Sequence, residues 1–286
     1  MIKINCRDRL GNTLFQYAVG RNLSIRRNTT LKLNLCGSED KNNCLKNSLL
    51  RQLSQFNLKA ELSVIRPAAT KSIGSEKILP PTTIFEEKEW GFIPEVLELD
   101  GNITLEGYFQ SEKYFIEIED VIREDLTLSV NSDEPLFNRY RDEILRTNSV
   151  SIHVRRGDYL ELDSHNICTL NYYSKSIEFL QSQFSDLQFF VFSDDINWCS
   201  ENFRFKSRTF VNMNKAENNP LLDFKLMSSC KHNIITNSSY SWWAAWLNDN
   251  VEKLVVSPDR WFSKEAALRW KVGSEPLLED WKTIKP

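Results

Sequence analysis

Two adjacent arginines close the stretch Ser149-Val-Ser-Ile-His-Val-Arg-Arg-Gly-Asp-Tyr159. A guanidinium is a permanently charged planar fork whose N–H groups match phosphate oxygens in pairs, so Arg155 and Arg156 together suit a diphosphate. Asp158 follows closely and offers either an ion-pair partner or a proton acceptor. The competing reading is a structural ion pair between these arginines and Asp158 or another carboxylate, because charge clusters mark structural networks as well as sites.

Three further stretches carry groups of similar kind. The loop after the arginines holds Glu161, Asp163 and His165. The two acids read as a solvated loop, whereas Cys168, Leu170 and Tyr172 bring the chain back toward the core just beyond His165, a second candidate to take a substrate proton. Phe189-Phe-Val-Phe-Ser-Asp-Asp195 ends in paired carboxylates, Asp194 and Asp195. Such a pair suits a divalent cation, yet Asp195 is equally placed to cap the next helix. Finally, Asn237-Ser-Ser-Tyr240 runs into a helix whose first N–H groups face outward, an anion site additive with nearby arginines, or simply a capped helix. Trp242, Trp243 and Trp246 recur at helical spacing and read as core rather than as a stacking platform.

The elements that must position these groups follow from periodicity. Residues 150–154 are β-branched and stop at Gly157, so they form a buried strand, and ligands collect beyond the carboxyl ends of strands in open α/β sheets. Strands are expected at 150–154, 188–192, 209–212, 233–236 and 253–257. Helices should lie between them at 171–184, 195–202, 220–231 and 240–248, a Rossmann-like parallel sheet. In the first half, Ile2, Ile4 and Cys6 alternate as a strand, a loop breaks at Gly11 and Asn12, and Leu14 to Leu23 carry helical spacing. Asn12 and Gln16 should stand at that helix start, placed for a sugar hydroxyl or for local turn bonds. A strand is expected at 30–35, then an irregular span over 36–84 with Pro67, Pro80 and Pro81. A strand near 103–107 should lead through a polar loop into a helix ending at Arg123, and an amphipathic helix is expected over 133–146. A domain boundary is expected just after it, giving lobes 1–148 and 149–286.

Composition sets limits on the function. The 286 residues suffice for one large or two medium domains with proper cores, 41% of them hydrophobic and 26% charged. A net charge of −3 from 36 basic and 39 acidic side chains gives no general attraction for nucleic acid or an anionic membrane. The start, Met1-Ile-Lys-Ile-Asn-Cys, lacks the apolar run of a secretion signal or anchor, which suggests a cytoplasmic protein, peripheral to the inner membrane at most. Six scattered cysteines without a C-x-x-C pair suggest reduced thiols rather than a zinc or redox centre.

Taken in order, Leu10-Gly-Asn-Thr-Leu-Phe-Gln-Tyr-Ala, Gly107-Tyr-Phe-Gln-Ser-Glu-Lys-Tyr-Phe, His153-Val-Arg-Arg-Gly-Asp-Tyr, Phe192-Ser-Asp-Asp and Thr236-Asn-Ser-Ser-Tyr-Ser-Trp-Trp-Ala resemble the α-1,2-fucosyltransferase family, glycosyltransferase family 11. The resemblance implies an α/β, GT-B-like enzyme of two Rossmann-type lobes with a cleft between them, the acceptor mainly on the first lobe and GDP-fucose mainly on the second. It implies inverting transfer of L-fucose from GDP-β-L-fucose to the 2-hydroxyl of a galactoside, without a metal. In that frame Arg155 and Arg156 hold the pyrophosphate, and Ser238, Ser239 and Tyr240 line the same pocket. Asp195 and Asn12 complete the expected donor contacts, and Asp158 and His165 compete as the base. A more distant resemblance, to α-1,6-fucosyltransferases, implies that His153 and Asp223 recognise guanine. Where the family has a glycine-rich turn before Leu10 and a glutamine after Asn12, this chain has Arg9 and Thr13. Animal relatives carry a membrane anchor, so the resemblance implies a bacterial enzyme. Transfer to another position or to a protein, and glycan binding without catalysis, are the alternative readings.

Overall fold

The computed structural model describes residues 1–35, 44–64, 82–129, 134–213 and 219–286. Its first element, β1 (Ile2–Cys6), buries every second residue, as the alternation of Ile2, Ile4 and Cys6 requires. Helix α1 (Leu10–Arg26) returns across the sheet to β2 (Leu31–Leu35). Gly20 sets how closely that helix approaches: a Cβ there would lie 2.7 Å from Leu31 Cδ1 and 3.0 Å from Ile4 Cδ1. Next come α2 (Cys44–Leu53), β3 (Glu61–Val64), β4 (Thr82–Glu86), β5 (Asn102–Glu106) and α3 (Glu119–Asp125). The five strands are parallel, in the order β3-β2-β1-β5-β4. The strand order reverses between β1 and β5.

Helix α4 (Pro135–Arg146) opens the second group of elements, with Phe137, Tyr140 and Ile144 forming its buried stripe. After it come β6 (Asn148–Val154), α5 (Leu170–Gln183), β7 (Leu187–Ser193), α6 (Ile196–Asn202), β8 (Arg208–Phe210) and α7 (Pro220–Ser228). The chain ends with β9 (His232–Ile234), α8 (Ser239–Trp246), β10 (Val255–Pro258), α9 (Lys264–Trp270) and β11 (Lys282–Ile284). The sheet is again all parallel, in the order β11-β10-β9-β6-β7-β8, and reverses between β6 and β9. Strand β6 is buried along nearly its whole length, as a central parallel strand must be. Trp242, Trp243 and Trp246 are buried core, as their spacing predicts. Trp242 stacks on Trp246 with centroids 6.2 Å apart and meets Trp281 at 5.5 Å.

The pair of Rossmann-type α/β units is therefore present, but it divides differently from the expected 148/149 boundary. The compact units are Met1–Ser129 and Val130–Pro286. Helix α4 belongs to the second unit because its apolar stripe packs on β6 and α7. The span 36–84, read as irregular, contains α2, β3 and part of β4. Neither β3 nor β4 shows a clean alternation, and both are held by their neighbours β2 and β5. Pro67, Pro80 and Pro81 lie outside the described residues, as do Cys36 and the first position of the helix expected over 133–146. Elements α9 and β11 were not expected. The latter has three residues and exists through its pairing with β10. Among the described residues no helix is long and apolar enough to cross a membrane, and Cys6, Cys168, Cys199 and Cys230 form no disulfide.

Placing two methyl groups at the α1 contact, in Gly20→Val, is expected to lower stability by about 1–3 kcal/mol through overpacking. A urea melt checks this: the midpoint should fall at unchanged slope.

Candidate active site

Strands β6 and β7 pair in parallel with Val154 opposite Ser193, so the residues that follow leave the sheet side by side. The sequence places Arg155 and Arg156 on one strand end and Asp194 and Asp195 on the other, and the register matches them one to one. Arg155 Nη1 lies 2.9 Å from Asp194 Oδ2, and its Nη2 donates to Asp158 Oδ1 at 2.6 Å. The Arg156 backbone N–H donates to Asp194 Oδ1 at 2.9 Å, and its Nε donates to Asp195 Oδ2 at 3.1 Å. Gly157 leaves room for this arrangement, since a Cβ there would sit 2.7 Å from Asp194 Oδ2.

The two guanidiniums differ in what remains available. Both terminal nitrogens of Arg155 are committed to carboxylates. Arg156 stands over Trp198, its Cζ 3.8 Å from the ring centroid, with only Nε of its side chain engaged by a carboxylate. Its Nη1 and Nη2 have no hydrogen-bond partner among the described residues. Partly exposed ion pairs of this kind contribute only about 0–1 kcal/mol each, so their effect is orientation more than stability. Asp195 also caps α6 by accepting from the Trp198 N–H at 3.2 Å, which places the ring beneath the arginine.

The strand-order reversal between β6 and β9 opens a crevice at their carboxyl ends, where α/β sheets bind ligands. Tyr159 spans it: its hydroxyl donates to the Asn237 carbonyl at 3.0 Å, and the Arg155 Cζ stands 5.7 Å from its ring centroid. Asn237 is fixed by donating to the His165 and Trp261 carbonyls at 3.0 and 2.9 Å. Ser238 heads α8 without a side-chain cap bond, and Ser239 and Tyr240 form the first turn. The arginines and this helix start thus border one crevice.

Deeper in the same unit stand two buried polar groups without partners. His153 Nδ1 and Asp223 Oδ1 have no hydrogen-bond partner among the described residues. Burial, aided by the Arg155 charge, pushes the His153 imidazole down to about 3, so it is neutral. Burial alone pushes the Asp223 carboxyl up to about 7. Tyr240 lies against both neighbourhoods: its ring is 5.5 Å from His153 and 5.4 Å from Phe224, and its hydroxyl donates to the Pro220 carbonyl. An orphaned buried polar atom costs about 1–3 kcal/mol, which a ligand with complementary donors and acceptors would recover.

The second unit therefore brings together His153, Arg155, Arg156, Asp158, Asp195, Asp223, Ser238, Ser239 and Tyr240. His165 joins them from its loop. Its ring sits between Tyr159 at 5.0 Å and Phe262 at 5.1 Å, with Nδ1 2.8 Å from Ser164 Oγ. Burial lowers its pKa, against the pull of Asp158. Asn12 belongs to the first unit, where Gln110 donates to its Oδ1 at 2.7 Å. Gln16, considered for a sugar hydroxyl, is an internal tie: it is buried, donates to the Gly107 carbonyl at 2.7 Å and accepts from the Arg7 N–H. The Asp194–Asp195 pair, considered for a cation, is engaged with the arginines, and no metal-binding cluster of three or more His, Cys, Asp or Glu occurs among the described residues. The sequence reading missed Trp198, Tyr159 and Asn237. Trp198 stands three residues after a capping acid, a signal that gains meaning only once the cap is known to hold an arginine.

The family model "Glycosyl transferase family 11" matches residues 99–281. An alpha-1,2-colitosyltransferase of Escherichia coli is 34% identical over 96% of this chain and 96% of its own. The O-antigen biosynthesis glycosyltransferase WbnK of Escherichia coli is 32% identical, over 89% of this chain and 92% of its own. Galactoside 2-alpha-L-fucosyltransferase SEC1 of Bos taurus is 28% identical over 51% of this chain and 42% of its own. With relatives aligned along nearly its whole length and the family model covering almost all of the second unit, the chain belongs to glycosyl transferase family 11.

Proposed function

We propose that this glycosyltransferase moves L-fucose from GDP-β-L-fucose to the 2-hydroxyl of a galactoside, with inversion, forming an α-1,2 linkage. The observation that carries the reading is Arg156: a cation held in place by Asp195 and Trp198, with two terminal nitrogens uncommitted, at the strand-order reversal of a Rossmann-type sheet. In this reading those nitrogens bind the diphosphate. Arg155 and the α8 start add charge and N–H dipoles beside it. Asp223 and His153 meet the guanine edge, the carboxylate accepting from its N–H groups. The relatives' names, alpha-1,2-colitosyltransferase and galactoside 2-alpha-L-fucosyltransferase, support the linkage and the deoxysugar.

As the glycosidic bond breaks, negative charge grows on the departing β-phosphate. Donors already fixed there stabilise that charge more than they stabilise the ground state. The fixed charges at this position are arginines, so the reading takes the reaction as metal-independent, and activity should persist in EDTA. Inversion in one step requires the acceptor hydroxyl to attack from the face opposite the diphosphate and lose its proton. His165 suits the proton better than Asp158. Burial keeps the imidazole neutral, and its Nε2 has no partner among the described residues, whereas Asp158 commits an oxygen to Arg155.

A second reading concerns the donor alone. Colitose is fucose without its 3-hydroxyl, and a colitosyltransferase aligns over nearly the entire chain, so GDP-colitose is the alternative donor. Incubation of both GDP-sugars with a set of galactosides, followed by NMR of the products, tests the proposal. A fucosyl α-1,2-galactoside from GDP-fucose supports it. Transfer from GDP-colitose only replaces the donor, and transfer to another hydroxyl or to none overturns the regiochemistry.

The guanine contact carries its own pH signature. Asp223 titrates near 7, and only its ionised form accepts two donors, so affinity for GDP-fucose should rise from about pH 6 to about pH 8 and then level off. The diphosphate of this donor stays ionised throughout, which leaves Asp223 to set the slope. Calorimetry with Asp223→Asn should show roughly tenfold weaker binding at pH 8 and a flat profile.

A further inference from the structure

Three residues of the loop that carries His165 meet on one residue of the turn between β9 and α8, Asn237. Its Nδ2 donates to the His165 carbonyl at 3.0 Å and to the Trp261 carbonyl at 2.9 Å. Its Oδ1 accepts from Thr236 Oγ1 at 3.1 Å and from Cys168 Sγ at 3.6 Å, and its own carbonyl accepts from the Tyr159 hydroxyl at 3.0 Å. The residue is 1% exposed, and both ends of its amide are engaged. Ser238 heads α8, so this amide is not spent on capping the helix. Its N–H groups instead join two stretches of chain that are distant in sequence. An aspartate of the same shape would not do this, because a carboxylate only accepts and would face two carbonyl oxygens.

These bonds fix the walls of a slot. The His165 imidazole lies between the Tyr159 ring, 5.0 Å away, and the Phe262 ring, 5.1 Å away and nearly perpendicular at 88°. Tyr159 is tethered to Asn237 by its hydroxyl, and Phe262 directly follows the Trp261 carbonyl that the amide holds. Phe262 is itself buried and braced edge-on by Trp270 at 5.1 Å. One buried residue therefore ties both walls to the backbone from which the imidazole projects. Ser164 Oγ, 2.8 Å from Nδ1, fixes the rotation of the ring. When Nδ1 carries the hydrogen and donates to that oxygen, Nε2 is the accepting atom. A base must first be within reach of its proton, and misplacement by about 1 Å can cost ~100-fold in rate.

We propose that Asn237 is a positioning residue: by holding Tyr159, the Trp261 carbonyl and the His165 backbone together, it sets where the His165 imidazole stands when the acceptor hydroxyl loses its proton. Its role in turnover rests on the function proposed above; the clamp itself does not. The test compares wild type with Asn237→Ala and with Tyr159→Phe, which keeps the ring and removes only its hydroxyl. The chain has three histidines, so imidazole NMR resolves them, and His165→Gln assigns the one in the slot. His232, stacked on Phe184 at 4.2 Å, is the folding control. Of the groups facing His165, Asp158 favours its charged form against burial, while Tyr159 stays neutral, its phenol pushed up to about 12 chiefly by burial. In both variants we expect the His165 ring protons to lose ring-current shift and its pKa to rise toward the ordinary imidazole range as water enters, with His232 unmoved. The value of kcat should fall roughly tenfold in Tyr159→Phe and ~100-fold in Asn237→Ala, with GDP affinity within about threefold. Unmoved His165 signals in both variants overturn the proposal, and so does a moved His165 with kcat unchanged. A loss of GDP affinity equal to the loss in kcat also counts against it, because the donor rather than the imidazole would then be displaced. If His232 shifts in Asn237→Ala, that variant has lost its fold and Tyr159→Phe decides. A wild type that transfers no sugar from either GDP-sugar overturns the transferase reading, and the NMR alone then decides the clamp.

Discussion

The structure of the second unit depends on one register. Because β6 and β7 pair with Val154 opposite Ser193, two arginines and two aspartates emerge together, and each arginine finds its own carboxylate. A shift of one residue would break this matching. The pairing determines which cation remains available. Arg155 is locked by Asp194 and Asp158, whereas Arg156 is gripped at its stem by Asp195 and Trp198 with its tip uncommitted. The ion-pair and anion-binding readings of the arginine pair are therefore complementary: the ion pairs orient the group proposed to bind the anion.

The same geometry recurs in both units with different chemistry. Each parallel sheet reverses its strand order beside its first strand, and polar side chains gather at each reversal. In the second unit these are a cation, a neutral imidazole and an easily protonated carboxyl, groups suited to a nucleoside diphosphate. In the first they are carboxylate, amide and aromatic. Orphaned buried atoms at His153, Asp223 and Gln110 are among those for which folding alone leaves hydrogen bonds unmade.

Much of this was legible in the sequence because the signals are local. β-Branched residues fix β6, the adjacent arginines announce a charge requirement, and Asn237 to Tyr240 announce a helix start. What stayed hidden depends on pairing. Asp194 and Asp195 look like cation ligands until the β6–β7 register places the arginines against them. The α4 stripe of Phe137, Tyr140 and Ile144 gives a helix but not its owner, so the division between units was set too late. Strands as short as β8 and β11 have no periodicity to read, and Gln16 looks like a ligand contact until the Gly107 carbonyl is seen beside it.

The most direct measurement is a double-mutant cycle between Arg156→Ala and Asp195→Ala, read as the affinity for GDP relative to guanosine. If Asp195 acts by holding Arg156 for the diphosphate, each single variant should lose roughly tenfold or more of the GDP affinity while guanosine binding is retained, and the double variant should lose little beyond the larger single effect. Additive losses, or GDP affinity unchanged in Arg156→Ala, would contradict the account.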